Sequence, residues 1–167
     1  SETIQKRTLQ SIHRLLQYPD YELDDIQVLV PQKRGSIGVH ELNLRIQQTF
    51  NPHGEDSKIR NIHAPNVPLN FKKGDKVIHI RNNYEKPWYT LENGVYKQEA
   101  TTGITNGETG VIVDIIQPSR LAGERNAKRK IVVKYDLGYM FYEQGEEMKD
   151  LDHAYCLSIH KSQGSQW

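Results

Sequence analysis

The apolar residues of this chain change their spacing near Phe71, so one architecture cannot serve its whole length. Upstream, Ile4, Leu9, Ile12, Leu15 and Leu16 recur near a helical period, which predicts an amphipathic helix over residues 3–17 that ends near Pro19. Residues 26–30 are a short apolar run rich in β-branched side chains and bounded by Pro31, the pattern of a buried parallel strand. Val39, Leu42, Ile46 and Phe50 then recur at threes and fours, predicting a second helix that Asn51 and Pro52 close. Helix, strand, helix is an α/β pattern.

After Phe71 the period is two. Val77 and Ile80 suit a strand, and Asn93-Gly94 stands between residues 89–91 and 95–97 as a type I′ hairpin signal. Residues 110–116 and 130–135 continue the series, and 139–143 pair with the latter across Asp136, Leu137 and Gly138. Five or six short strands at this spacing predict a small barrel. Residues 53–70, with Pro65 and Pro68, read as an extended connector. His53 and His63 have no cysteine or clustered carboxylate at metal spacing, so no metal is assigned. Tyr84, Trp88, Tyr89 and Tyr96 lie in or near polar loops, where they either cap a core or stack on bases.

The richest chemistry lies in Leu157-Ser158-Ile159-His160-Lys161-Ser162-Gln163-Gly164-Ser165-Gln166. Period-two geometry puts Cys156, Ser158 and His160 on one side of a strand and Leu157 and Ile159 on the other. Lys161, Ser162 and Gln163 then add a cation, a hydroxyl and an amide where Gly164 lets backbone approach a ligand, a cluster that suits phosphate. Ligands of α/β sheets gather at the carboxyl ends of parallel strands. Gln32-Lys33-Arg34-Gly35 follows one such end and His160-Lys161-Ser162-Gln163 the other, so both loops are expected on one rim.

Net charge is only +1, but it is uneven. Arg120, Arg125, Lys128, Arg129, Lys130 and Lys134 face only Glu124 within their stretch, while Asp136, Glu143, Glu146, Glu147, Asp150 and Asp152 crowd the next. The basic stretch reads as a solvated hairpin loop or as a clamp on a nucleic-acid backbone. The single Cys156, flanked by Ala154, Tyr155 and Leu157, reads as a buried thiol without a disulfide partner in the chain. No run approaches the roughly 20 apolar residues of a membrane span, and the first residues lack the features of a signal peptide. A cytoplasmic protein without a membrane partner is expected.

The run that ends in Gln166 resembles motif V of superfamily 1 helicases, and among them the RecD-like branch (the exodeoxyribonuclease V alpha subunit family), in which T-V-H-K-S-Q-G-S-E is usual. Val28-Leu29-Val30-Pro31-Gln32-Lys33-Arg34-Gly35-Ser36-Ile37-Gly38, followed by Leu42-Asn43 and Phe50-Asn51-Pro52, is similar to the motif IV region. Phe71-Lys72-Lys73-Gly74-Asp75-Lys76-Val77, with Asn82-Asn83-Tyr84 and Asn106-Gly107-Glu108-Thr109-Gly110, is similar to the SH3-like insert of the second motor domain. The stretch from Glu85 to Thr105 is longer than the family's usual loop there.

The resemblance implies a fold of the α/β plus all-β kind: a partial RecA-like, P-loop NTPase-type motor domain with an inserted SH3-like small β-barrel. Residues 1–70 would be part of the second motor domain, 71–150 the insert, and 151–167 the return strand with motif V. It implies a piece of an ATP-dependent 5′-to-3′ DNA helicase of recombination and repair. Ser158, His160 and Lys161 would hold a DNA phosphate, with Lys128, Arg129 and Lys130 as a further DNA clamp. Arg34, Gln163, Gly164 and Gln166 would face the nucleotide. Gln166 stands where the family more often has Glu, so a carboxylate role does not carry over to it.

No G-x-x-x-x-G-K-[ST] occurs among the twelve glycines, and no acidic motif II or arginine-bearing motif VI is present, so this piece alone is expected neither to bind nor to hydrolyse ATP. ATP and Mg²⁺ would serve the parent enzyme. The implied partners are single-stranded DNA, the first motor domain and, in one arrangement, subunits of a nuclease complex. The alternative is an SH3-like module that binds nucleic acid or protein with no motor attached.

Overall fold

The structure, a computed structural model, describes residues 2–31, 36–118 and 128–159. Helices α1 (Glu2–Leu16) and α2 (Ser36–Phe50) fall where the apolar spacing puts them. Leu9, Ile12 and Leu16 of α1 share one face at about 100° per residue and meet the core, whereas Ile4 and Leu15 point away and stay exposed. Between the helices lies β1 (Val28–Pro31), which pairs in parallel with β11 (Cys156–Ile159). The sequence pattern implied a strand buried on both faces, and the structure corrects this. Val28 and Val30 pack against the helices, but Leu29, on the other face, is 55% exposed.

The supposed connector also holds structure. Strand β2 (Asp56–Arg60) pairs antiparallel with β3 (Asn70–Lys72). A register shift between Asp56 and Arg60, with Lys58 at φ 61°, breaks the period-two signal and hid this pair from the pattern. A seven-stranded sheet then runs through β4 (Lys76–His79), β5 (Asn83–Glu92), β6 (Val95–Ile104), β7 (Thr109–Ile116), β8 (Lys130–Tyr135), β9 (Gly138–Glu143) and β10 (Leu151–His153). Its spatial order is β10-β4-β7-β8-β9-β5-β6. Asn93 at φ 51° and Gly94 at φ 79° make the expected turn between β5 and β6.

The expected closed barrel is not found, because among the described residues β10 and β6, the two ends of the order, do not pair. The sheet nevertheless curls. His79 on β4 and Tyr142 on β9 stand three places apart, roughly 14 Å in a flat sheet, yet His79 Nδ1 and the Tyr142 hydroxyl lie 2.7 Å apart. Its concave face buries Val77, Trp88, Ile112, Ile131, Met140 and Leu151 together with Phe71 and Ile59. The β5–β6 hairpin bends across the convex face, where Tyr89 stacks on Phe141 at 4.4 Å and Tyr96 meets Phe141 edge-on. Of the four loop aromatics, Trp88 is therefore core, Tyr89 and Tyr96 pack on their neighbours, and Tyr84 is exposed.

Helix α2 ties the two parts. Its apolar stripe of Val39, Leu42, Ile46 and Phe50 meets the first core, and one residue further round runs a polar stripe in which Asn43 and Gln47 are buried. Gln47 and Asn51 donate to Asp75, at 2.7 and 2.9 Å, and so do the Lys72 backbone N–H, His153 Nε2 and the Tyr155 hydroxyl, each at 2.8 Å. Burial alone would push the fully buried Asp75 carboxyl up, but His153 and the other donors outweigh it and hold the group below the ordinary carboxylate value. Lys76 Nζ adds a bond to the Ile26 carbonyl at 2.9 Å.

Gly110 leaves no room for a side chain, since a Cβ there would lie 2.5 Å from the Lys134 carbonyl oxygen on the paired strand. Gly110→Ala should destabilise by about 1–3 kcal/mol, read from the midpoint of urea unfolding. Asp75→Ala would orphan five donors and should cost about 3 kcal/mol or more. Because the folded Asp75 value lies below its ordinary 3.8, its contribution is full above that pH and is lost as pH falls through the folded value. Urea midpoints followed in acid should drop less steeply for Asp75→Asn than for wild type.

Candidate nucleic-acid interface

Parallel pairing brings the carboxyl ends of two strands together, with Val30 opposite Ser158 and Pro31 opposite Ile159. The outer edge of β11 has no strand neighbour among the described residues, and Asn43 takes that place. Its Nδ2 donates to the Cys156 carbonyl at 3.0 Å, and its Oδ1 accepts the Cys156 N–H at 2.8 Å. One side-chain amide thus supplies the donor and acceptor that an adjacent strand would. Gln27 adds a bond to the Ala154 carbonyl at 3.2 Å, so the approach to β11 is fixed on both sides. The Cys156 thiol is buried, as its apolar flanks imply, and burial pushes it up to about 12, which keeps it inert.

Beyond the Asn43 clamp lies a cleft of about 230 Å³ lined by Val39, His40, His63, Asp152, His153, Cys156, Leu157 and Ser158. Ser158 is exposed at its rim. His63 Nε2 donates to the Lys149 carbonyl at 3.2 Å, since a carbonyl only accepts. Asp152 Oδ1 accepts from Asn61 Nδ2 at 2.8 Å and from the His153 N–H at 2.7 Å. Asn61 Nδ2 also donates to His153 Nδ1 at 2.8 Å, which leaves the proton on Nε2, where it reaches Asp75. His40 Nδ1 is buried with no hydrogen-bond partner among the described residues. Burial, helped by His63 and His153, lowers the His40 pKa against the opposing pull of Asp152. The cleft therefore offers the Ser158 hydroxyl and the His40 ring to an oxygen-rich ligand, beside one carboxylate that restrains an anion.

Lys128, Arg129 and Lys130 sit at the head of β8. Lys128 is exposed, while Arg129 Nε donates to Gln117 Oε1 at 2.9 Å. Lys130 stands opposite Glu143 and lines a cleft of about 170 Å³ with Lys86, Tyr89, Phe141 and Glu147. Ser158 and Lys130 thus line different clefts. Arg34, His160, Lys161, Gln163, Gly164 and Gln166 lie outside the described residues, as do Arg120 and Arg125. Among the described residues no group of three or more His, Cys, Asp or Glu could hold a metal ion, and no helix is long and apolar enough to cross a membrane.

Sequence reasoning missed His40, Asn43 and Asp152. The available signal was the polar pair His40 and Asn43, one helical turn apart beside the apolar stripe of α2. His40 should titrate below the ordinary histidine value of 6.5 in a proton NMR pH series, and a His40 resonance moving at or above that value would contradict its burial.

Comparison with known proteins assigns the chain. The model of the ATP-dependent RecD-like DNA helicase SH3 domain matches residues 42–135. An uncharacterized protein of Methanocaldococcus jannaschii is 34% identical over 146 residues, covering 85% of this chain and 12% of its own length. The ATP-dependent RecD2 DNA helicase of Deinococcus radiodurans is 27% identical over 142 residues, covering 85% of this chain and 15% of the helicase. The conjugal transfer protein TraA of Agrobacterium fabrum is 30% identical over 98 residues, covering 57% of this chain and 6% of TraA. The chain thus spans less than a sixth of these relatives. No solved structure matches it. A match over more than half of the residues, in a sheet-rich chain with two helices, shows that this chain belongs to the SH3 domain family of ATP-dependent RecD-like DNA helicases.

Proposed function

We propose that this chain is part of the second motor domain of a RecD-like, ATP-dependent 5′-to-3′ DNA helicase, with its SH3-like sheet inserted between α2 and β11. The observation that carries this reading is the parallel β1–β11 pair, whose carboxyl ends meet at Pro31 and Ile159. Ligands of α/β sheets collect at such ends. The exposed Leu29 adds support, because parallel sheets are normally covered on both faces and this face would be covered by the rest of a motor domain.

In this reading Ser158, His160 and Lys161 hold a phosphate of single-stranded DNA, and Arg34, Gln163, Gly164 and Gln166 face ATP. The parent enzyme would supply the P-loop, Mg²⁺ and the first motor domain, and would act in the cytoplasm, alone or with subunits of a nuclease complex. Nucleotide binding between the motor domains would close the cleft and hydrolysis would reopen it, so that the grip on DNA alternates and the motor steps along one strand. Lys128, Arg129 and Lys130 would form a second, separate contact with the backbone.

The test is fluorescence anisotropy of this chain with labelled single-stranded DNA across a salt series. Affinity should fall linearly in log salt, and Lys161→Ala should lower the slope by roughly one counterion. The triple alanine variant of Lys128, Arg129 and Lys130 should lower it further. Unchanged slopes in both variants would remove these residues from the DNA contact. Binding to protein but not to DNA would favour the module without a motor.

A further inference from the structure

The outer edge of β11 carries more backbone groups than Asn43 takes. The Val28 N–H reaches the Tyr155 carbonyl at 3.4 Å, so in this parallel ladder Tyr155 and Leu157 turn their backbone groups toward β1. Cys156 and Ser158 therefore turn theirs the other way. Asn43 occupies those of Cys156, and at Ser158 the edge has no strand neighbour among the described residues. The Ser158 N–H thus joins its exposed hydroxyl at the rim of the cleft of about 230 Å³. His40 lines the same cleft from α2, one helical turn nearer the start of the helix than Asn43. Its ring is half-buried, and Nδ1 is enclosed with no hydrogen-bond partner among the described residues. Without an acceptor at Nδ1, the proton of the neutral ring is better held on Nε2, the nitrogen that is not enclosed.

The other polar groups around the ring already have partners. His63 Nε2 donates to the Lys149 carbonyl, both ring nitrogens of His153 are bonded to Asn61 and Asp75, and Asp152 accepts from Asn61 and from the His153 N–H. What remains is the Ser158 N–H, its hydroxyl and the His40 ring. Donors that converge from two elements suit the non-bridging oxygens of a phosphodiester, each of which accepts more than one hydrogen bond. We propose that His40 is a DNA-binding residue, which joins Ser158 in holding a backbone phosphate of single-stranded DNA. This rests on the helicase reading above and adds to it a contact from α2. Protonation of the ring turns a neutral hydrogen bond into a charge-assisted one, so the grip tightens as pH falls. Asp152 favours the protonated ring, while burial, His63 and His153 oppose it, so in the free chain the change lies on the acid side of 6.5.

The experiment is fluorescence anisotropy of this chain with labelled oligothymidylate, whose bases do not titrate in the range used, across salt at about pH 7.5 and about pH 5.5. Wild type is compared with His40→Ala and with His40→Gln, which keeps an N–H donor but cannot gain charge. Wild type should bind about fivefold more tightly at the lower pH, the step from a neutral to a charge-assisted hydrogen bond. Its slope in log salt should steepen there by roughly 0.7, the share of one added charge on a single strand. His40→Gln should match wild type at the higher pH and lose both changes, and it decides the matter if the alanine variant does not fold. His40→Ala should bind more weakly at both. A merely structural role would weaken binding without moving the pH step or the slope. Wild-type pH dependence kept in His40→Gln would assign the gain to His63 or His153, overturn the role of His40 and leave the helicase reading intact. A wild type that binds no single-stranded DNA at either pH would overturn the DNA contact at this cleft, in the helicase reading and here alike.

Discussion

The carboxylate of Asp75 gathers donors from α2 and the residue that follows it, from the end of β3, from β10 and from the residue that leads into β11. A buried charge of this kind is tolerated only when its lone pairs are filled, so each donor must arrive at its own position and direction. That requirement fixes how the α/β part sits on the curled sheet. Apolar contact could hold the two together but would not choose among neighbouring arrangements. The network also extends outward: His153 passes through Asn61 to Asp152, which lines the cleft beside Ser158. The centre that joins the two parts is thus a few bonds away from the candidate interface.

Much of the fold was legible because local signals were strong. Both helices follow from apolar spacing, and the β5–β6 hairpin follows from Asn93-Gly94, whose positive φ angles meet the needs of a type I′ turn. The β8–β9 hairpin was equally plain, with Tyr135 opposite Gly138. The family resemblance rested on longer strings, and the match over residues 42–135 covers most of the stretch read as the SH3-like insert and reaches back through the second half of α2 and the β2–β3 pair. The β2–β3 pair was illegible because an irregular register with a left-handed Lys58 removes the alternation on which strand reading depends.

Curvature and the buried polar stripe were beyond the reach of pattern. Nothing in the period of β4 or β9 says that His79 and Tyr142 will meet, because that depends on how strands three places apart close toward one another. Asn43 and Gln47 look like the solvent side of an amphipathic helix, and only the strands packed against them make them interior. At the candidate site, Ser158 was found from its strand position, while His40 and Asp152 come from segments more than a hundred residues apart. Sequence spacing cannot register that kind of convergence.

The parallel pairing of Val28 with Cys156 has a consequence for the order in which the chain acquires its structure. It closes a loop of roughly 130 residues, and loop-closure entropy must be met before such a contact is rewarded. Prior folding of the seven-stranded sheet shortens that loop, because Asn61 at its entrance is bonded to Asp152 at its exit. Docking of the strand that bears Ser158 therefore costs less once that sheet has formed. With four residues and one strand neighbour among the described residues, β11 depends for its place on β1, on the Asn43 clamp and on the helices. The strand proposed to lead toward DNA thereby holds its place through neighbours far from it in sequence.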